Sequence, residues 1–384
     1  MNVRVQANIP GQGYTELRVD GRKLASVRAL GATKPNEPFI SPGFVDIQLN
    51  GFAGVNFSDP ALDADTAISV LPSVWETGVT TFCPTLITNT REGLLRNFAV
   101  LEEARKKDER FGWAAPCYHL EGPYLSAQNA RGTHNPKLIR NPDWDEFEQL
   151  QRAAGGRIAI ITLAPELPGA IEFIRRAHAS GVIVAIGHTE ANSEQIHLAA
   201  EAGATLNTHL GNGCPEYIHR HHAPLWAQLS LDSLKATIIC DGFHLPPELV
   251  KAIVRVKGLE RTILLTDAVH VANLDPGRYS LVGTEIELLQ TGQVVTLDRR
   301  CMAGSALTMN RAVTTFSRDA EVSLADAIRA ATTNPAGILD RPEICSTIAE
   351  GQPANLVMFR CGREELEVGS VISAGEVVYT SQRA

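Results

Sequence analysis

The chain has no CxxC pair, and its seven cysteines, Cys83, Cys117, Cys214, Cys240, Cys301, Cys345 and Cys361, are odd in number and widely scattered. A disulfide framework uses even, clustered cysteines, so this pattern fits reduced thiols. No apolar run approaches the ~20 residues of a membrane-spanning helix. The start, Met1-Asn-Val-Arg-Val-Gln-Ala7, lacks a charged-then-apolar signal layout, so a cytoplasmic protein is expected. Lys and Arg gather into no run, and the formal charge is -8 with a pI near 5.8. General binding to nucleic acid or to a membrane surface is therefore not expected. An anionic small molecule stays open as a substrate, because a local Arg/His pocket does not need a basic protein. Low-complexity segments are absent too, and 384 residues with 44% hydrophobic content can bury a full core.

What is present is a long alternation. Short apolar runs begin at Phe44, Val79, Cys117, Ile158, Val182, Thr205, Ala236 and Thr262. Between them lie stretches with helical spacing, among them Leu62 to Glu76, Arg91 to Lys107, Trp144 to Ala153, Gly169 to Ala179, Ser193 to Ala202 and Pro247 to Val256. Strands that are apolar throughout are buried on both faces. Eight of them interleaved with helices predict an α/β protein of the (β/α)8 TIM-type barrel class. A doubly wound open sheet is the alternative, but no Gly-rich phosphate turn follows the first strand. Near the amino end, Pro10-Gly11-Gln12-Gly13 and Asp20-Gly21-Arg22 read as hairpin turns, and Gly351 to Tyr379 has the same strand-and-turn character. The two ends are expected to form a small β-sandwich domain, residues 1-40 and 346-384, with the catalytic barrel over 41-345. Arg278 to Leu297 reads as a hairpin inserted after the eighth strand, and a final helix is expected from Ser305, with Gly304-Ser305 capping it.

Four strands end in groups that a buried strand has no reason to carry. In Cys117-Tyr-His-Leu-Glu-Gly-Pro-Tyr-Leu125, the period of two puts His119 and Glu121 on one face before Gly122-Pro123 stops the strand. The others end in His188, His209 and Asp267. At the carboxyl edge of a barrel, Glu121, His188, His209 and Asp267 would converge. Two imidazoles and a carboxylate are a workable zinc set with a position left for water. A single strand-end histidine is more often a satisfied polar residue than a ligand. An acid on the inner face of a buried strand, however, needs a partner. His119 reads as packing or as support for Glu121, and His178 and His197 as helix histidines facing solvent or a neighbouring helix. Cys83 and Cys240 read as small buried hydrophobes. His219-Arg220-His221-His222 is either a second metal site or a solvated, phosphate-facing loop. The loop is favoured, since adjacent residues seldom turn three rings onto one ion.

The runs His119-Leu-Glu-Gly-Pro, Gly132-Thr-His-Asn-Pro136, Leu163-Ala-Pro-Glu166, Gly187-His188, Thr208-His209-Leu with Asn212, Asp241-Gly-Phe-His244, Thr266-Asp267-Ala and Ala303-Gly-Ser-Ala-Leu-Thr-Met309 make the chain resemble the N-acetylglucosamine-6-phosphate deacetylase family of the amidohydrolase superfamily. The resemblance covers nearly the whole chain, in order. It implies a barrel enzyme that removes the acetyl group from an N-acetyl amino sugar 6-phosphate. One divalent metal is implied, Zn2+ foremost and Fe2+, Mn2+ or Co2+ otherwise, on Glu121, His188 and His209. Asp267 is implied as catalytic acid/base and His134 as a polariser of the carbonyl oxygen. Asn212, Gly213, Arg220 and His244 are implied on the sugar phosphate, the Arg reaching across a homodimer or higher oligomer.

Many superfamily members carry a second metal on a His-x-His at the end of the first strand. Here that place reads Gln48-Leu49-Asn50, and amides are poor zinc ligands, so one metal is expected, with Gln48 and Asn50 lining the mouth. The mouth also departs from the family pattern at Asn212-Gly213-Cys214-Pro215 and Ala268-Val-His270. An unphosphorylated N-acetylhexosamine, N-acetylgalactosamine 6-phosphate or another N-acyl substrate is therefore the alternative.

Overall fold

The structure is a computed structural model that describes residues 2-344 and 347-382. Cys345 and the expected domain edge beside it lie outside the described residues. Eight strands, Phe44–Leu49, Val79–Ile87, Tyr118–Glu121, Ile158–Leu163, Ile183–Ile186, Ala204–Asn207, Lys235–Ile238 and Thr262–Leu264, are hydrogen-bonded in sequence order. Every pairing among them is parallel. The circle closes between the first and eighth through the parallel bridge of Leu49 with Ala268 and the Asp267 N–H to Gln48 carbonyl bond of 3.0 Å. The strands start within a residue of their expected places because parallel strands under a helical layer must be apolar on both faces, and that pattern is local.

The helical layer departs from expectation where the backbone chemistry changes. Leu62 to Glu76 is two helices, Ala64–Ile68 and Leu71–Glu76, because Pro72 has no N–H and its ring would collide with the carbonyl four residues back. The final helix is three, Met309–Asp319, Leu324–Ala331 and Thr333–Leu339. Thr308, not Ser305, is the N-cap of the first, which corrects the capping role expected of Gly304-Ser305. The insertion after the eighth strand has three strands, Gly277–Leu281, Thr284–Leu288 and Val294–Thr296, around a separate apolar cluster of Val271, Leu281, Ile286 and Val294.

Both chain ends share one seven-stranded sheet. Phe39–Pro42 joins them, pairing in parallel with Asn2–Ile9 and antiparallel with Leu356–Cys361. Ala7, Leu17, Leu24, Ile40 and Leu356 form that sheet's own apolar cluster. Among the described residues no helix is long and apolar enough to cross a membrane.

Candidate active site

Glu121 closes the third barrel strand, while His188, His209 and Asp267 follow the ends of the fifth, sixth and eighth. Those last three have φ of +50°, +31° and +52°, in a region that residues with a Cβ seldom adopt. Strain of this kind persists only where surrounding contacts over-determine it. Here the sharp turn off each strand directs the side chain to a shared cavity of about 380 Å³.

Three donor atoms meet there. Glu121 Oε1 lies 3.1 Å from His209 Nε2 and 3.3 Å from His188 Nε2, and the two Nε2 atoms are 3.1 Å apart. Ligands about 2.0-2.2 Å from a tetrahedral ion stand roughly 3.3-3.6 Å from each other, so the triangle is close to the size of a coordination face. The ring orientation points the same way. His188 Nδ1 donates to the Ala130 carbonyl at 3.0 Å, which turns Nε2 toward the carboxylate and fixes it as the ring nitrogen available to a ligand. Two imidazole nitrogens and a carboxylate oxygen gathered in one buried place are a donor set for a cation. The residues therefore fit a divalent metal ion, and they are the one such His/Cys/Asp/Glu group among the described residues. The exposed His219, His221 and His222 do not form a second. His219 Nδ1 instead accepts the backbone N–H groups of His221 and His222.

Gly213 lies over both imidazoles. With φ of +56°, it would place a Cβ 2.9 Å from His188 Nδ1 and 3.0 Å from His209 Cε1, so no larger residue fits without displacing the rings. Thr237 Oγ1 accepts the His209 backbone N–H at 2.7 Å and fixes that loop from the neighbouring strand.

Asp267 is held by groups that the sequence reading had only lining the mouth. Its Oδ1 accepts from Gln48 Nε2 at 2.9 Å and from Asn50 Nδ2 at 2.6 Å, and Gln48 Nε2 also reaches Glu121 Oε1 at 2.8 Å. Both amides are thus donors to Asp267, and Gln48 also bridges it to Glu121. Ser305 donates its N–H to the Asp267 carbonyl at 2.9 Å and its hydroxyl to the Thr266 carbonyl at 2.6 Å. Burial, together with the charge of Glu121, raises the Asp267 carboxyl to about 6. Burial opposes ionisation of Glu121 as well, yet His188 and His209 beside it hold it well below the usual range. Burial works against the charged His209 imidazole, but the bond to Glu121 and the charges of Glu121 and Asp267 together raise it.

His134 lines the same cavity from the long loop after the third strand. It is 6% exposed, which excludes a solvated surface group, and its ring meets His188 edge-on at 4.5 Å between centroids. Burial, then the neighbouring His188, lowers its imidazole to about 3, so it is neutral near pH 7. His119 bonds the Ile47 carbonyl at 3.1 Å and Thr162 Oγ1 at 2.8 Å, tying the third barrel strand to the first and fourth beneath the site. His178 and His197 are exposed on helices, and Cys83 and Cys240 are buried.

Asn212, Gly213 and His244 line the cavity. His244 Nδ1 donates to Asp241 Oδ2 at 2.6 Å, leaving Nε2 as its free ring nitrogen. Arg220 is not brought to the cavity of its own chain. It is exposed on the loop after Asn212, near Tyr217, Ile218 and Trp226, which are exposed too. Sequence reasoning missed Thr88 as the partner of His134, Ala130 as the partner of His188, and Arg300 to Met302, which bring the inserted sheet to the cavity wall. The usable signal for Gln48 and Asn50 was polar side chains at inward positions of an otherwise apolar strand.

The Amidohydrolase family model matches residues 39-378. The N-acetylglucosamine-6-phosphate deacetylase of Bacillus subtilis (strain 168) is 31% identical, covering 97% of this chain and 94% of that protein. The N-acetylgalactosamine-6-phosphate deacetylase of Escherichia coli O157:H7 is 29% identical, covering 90% and 91%. A mutant N-acetyl-D-glucosamine-6-phosphate deacetylase from Mycobacterium smegmatis, solved in complex with N-acetyl-D-glucosamine-6-phosphate, superposes with a TM-score of 0.88 at 30% identity, over 99% of this chain and 100% of that one. With a closed parallel barrel, a Glu/His/His donor face and a buried aspartate beside it, the chain belongs to the amidohydrolase family, in the branch of the N-acetylglucosamine-6-phosphate deacetylases.

Proposed function

We propose that the protein hydrolyses the acetamide of an N-acetylhexosamine 6-phosphate, N-acetylglucosamine 6-phosphate foremost, to acetate and the amino sugar phosphate, as a cytoplasmic step of amino-sugar catabolism. The observation that carries this is the convergence of Glu121, His188 and His209 with Asp267 beside them in one cavity. Glu121, His188 and His209 hold one divalent cation, zinc foremost. Once bound, such a cation supplies Lewis-acid polarisation and a nucleophile at neutral pH. Asp267 takes up the proton released as water adds to the acetyl carbonyl and delivers it to the departing nitrogen, which cannot leave as an anion. His134 donates to the carbonyl oxygen as it gains charge. Asn212, the Gly213 backbone and His244 hold the sugar and its phosphate. Arg220 reaches the phosphate bound by a neighbouring copy, in a homodimer that covers Tyr217, Ile218 and Trp226. The catalytic part follows the strand Phe39–Pro42, which joins the small β domain built from the described residues of both chain ends.

Acetate release from N-acetylglucosamine 6-phosphate, compared with N-acetylgalactosamine 6-phosphate and with N-acetylglucosamine, tests the substrate. The Asp267→Asn variant is expected to keep its metal and lose turnover, and undiminished hydrolysis by it would end this mechanism. Hydrolysis of an unphosphorylated N-acetylhexosamine is the second reading, favoured by the place of Arg220 outside its own chain's cavity. Equal rates with and without phosphate would select it.

A further inference from the structure

Thr88 follows the second barrel strand and is 2% exposed. Its Oγ1 lies 2.8 Å from His134 Nδ1. The hydroxyl fits in this place because residue 122 is a glycine. With φ of +82°, a Cβ on Gly122 would come within 2.4 Å of Thr88 Oγ1. The edge-on contact with His188 fixes the plane of the His134 ring. Among the described residues, His134 Nε2 has no protein partner and is not a buried orphan, so it is the ring atom open to the cavity.

A neutral imidazole has one N–H and one lone pair. The buried Thr88 hydroxyl bonds nothing else among the described residues, so Nδ1 is the acceptor its hydrogen has there, and a proton on Nδ1 would leave that hydrogen without a partner. The choice made at Nδ1 decides what Nε2 offers. If Nδ1 donated to Thr88, Nε2 would turn a lone pair to the cavity and repel a carbonyl oxygen. If Thr88 donates to Nδ1, Nε2 carries the hydrogen and can meet that oxygen as it becomes negative.

We propose that Thr88 is a positioning residue that sets the tautomer of His134, its hydroxyl donating to Nδ1 so that Nε2–H faces the substrate. The proposal rests on the acetamide-hydrolase reading for its purpose, but the tautomer is a property of the protein alone. The geometry also explains a polar residue at the buried mouth that contributes no ligand atom.

Nitrogen-15 NMR of the histidine rings reads the tautomer directly, with His134→Asn identifying the signal. The expected result for the unaltered protein is a protonated Nε2 and a bare Nδ1. In Thr88→Val the Nε2–H population falls and kcat on N-acetylglucosamine 6-phosphate drops roughly 10- to 100-fold, as for other partners that orient site residues, with little change in KM. Thr88→Ser restores both. A proton found on Nδ1 of the unaltered protein, or a valine variant with full kcat, overturns the proposal. The spectrum of the unaltered protein decides the matter even if the valine variant does not fold. Absence of any hydrolysis by the unaltered enzyme removes the deacetylase reading instead, and the spectrum still decides the role of Thr88.

Discussion

Gly213→Ala isolates the steric part of the metal site. The new Cβ would lie 2.9 Å from His188 Nδ1, 3.1 Å from His188 Cε1 and 3.0 Å from His209 Cε1, three contacts from one methyl group. Carbon needs about 3.5 Å from such atoms, so each ring must retreat by roughly half an ångström or the loop must lift. The His188 ring cannot retreat freely, because its Nδ1 is bonded to the Ala130 carbonyl at 3.0 Å. Shifts of that size open a donor triangle whose edges are 3.1-3.3 Å. Losing such orientation typically weakens metal binding roughly 10- to 100-fold, or about 1.4-2.8 kcal/mol. The backbone adds a separate cost of about 1 kcal/mol, because φ of +56° suits glycine and not alanine. Gly181→Ala separates the two effects, since Gly181 has φ of +83° with nothing within 4 Å of its Cβ position. Gly181→Ala is expected to lose thermal stability through its backbone alone, Gly213→Ala at least as much without metal, and only Gly213→Ala to lose affinity in competition with a chelator. If Gly213→Ala holds Zn2+ or Co2+ as tightly as Gly181→Ala does, the glycine is not there to admit the two imidazoles, and the reasoning fails.

Asn50→Leu removes the 2.6 Å donor to Asp267 and touches no ligand atom. A buried bond to a charged group contributes about 1.5-3 kcal/mol, so turnover should fall roughly 10-fold or more with metal content unchanged. Parallel loss of metal and turnover, read by elemental analysis and acetate release, would show that the amide supports the ligands instead. In the terminal sheet, Gln6, then Arg4, with Arg28, bond Glu16 and lower its carboxyl to about 2. A depressed acid stabilises the fold above its unfolded pKa of 4.5, and that contribution is lost as pH falls toward 2. The urea-midpoint gap between the unaltered protein and Glu16→Gln should therefore be open at pH 6 and narrow in acid; a gap that widens in acid would reverse the sign.

Much of the catalytic centre was legible in the sequence because it follows from a local rule. Buried strands must be apolar, so Glu121, His188, His209 and Asp267 stand out against their own runs, and the barrel class supplies the common edge at which they meet. The helical layer was less legible. Pro72 splits one expected helix, and the inserted sheet has a third strand, Val294–Thr296, too short to register as a periodic run.

By itself the sequence determined the alternation, the strand that carries each donor and the glycine at 213, since these depend on side-chain periodicity and on residue chemistry within a few positions. Tertiary structure alone decided what those groups touch. Gln48 and Asn50 donate to a carboxylate 219 and 217 residues away, Thr88 meets His134 across 46, and Arg220 lies outside the cavity of its own chain. The reason is that a hydrogen bond depends on position and direction in space. No pattern along the chain sets either until the barrel closes.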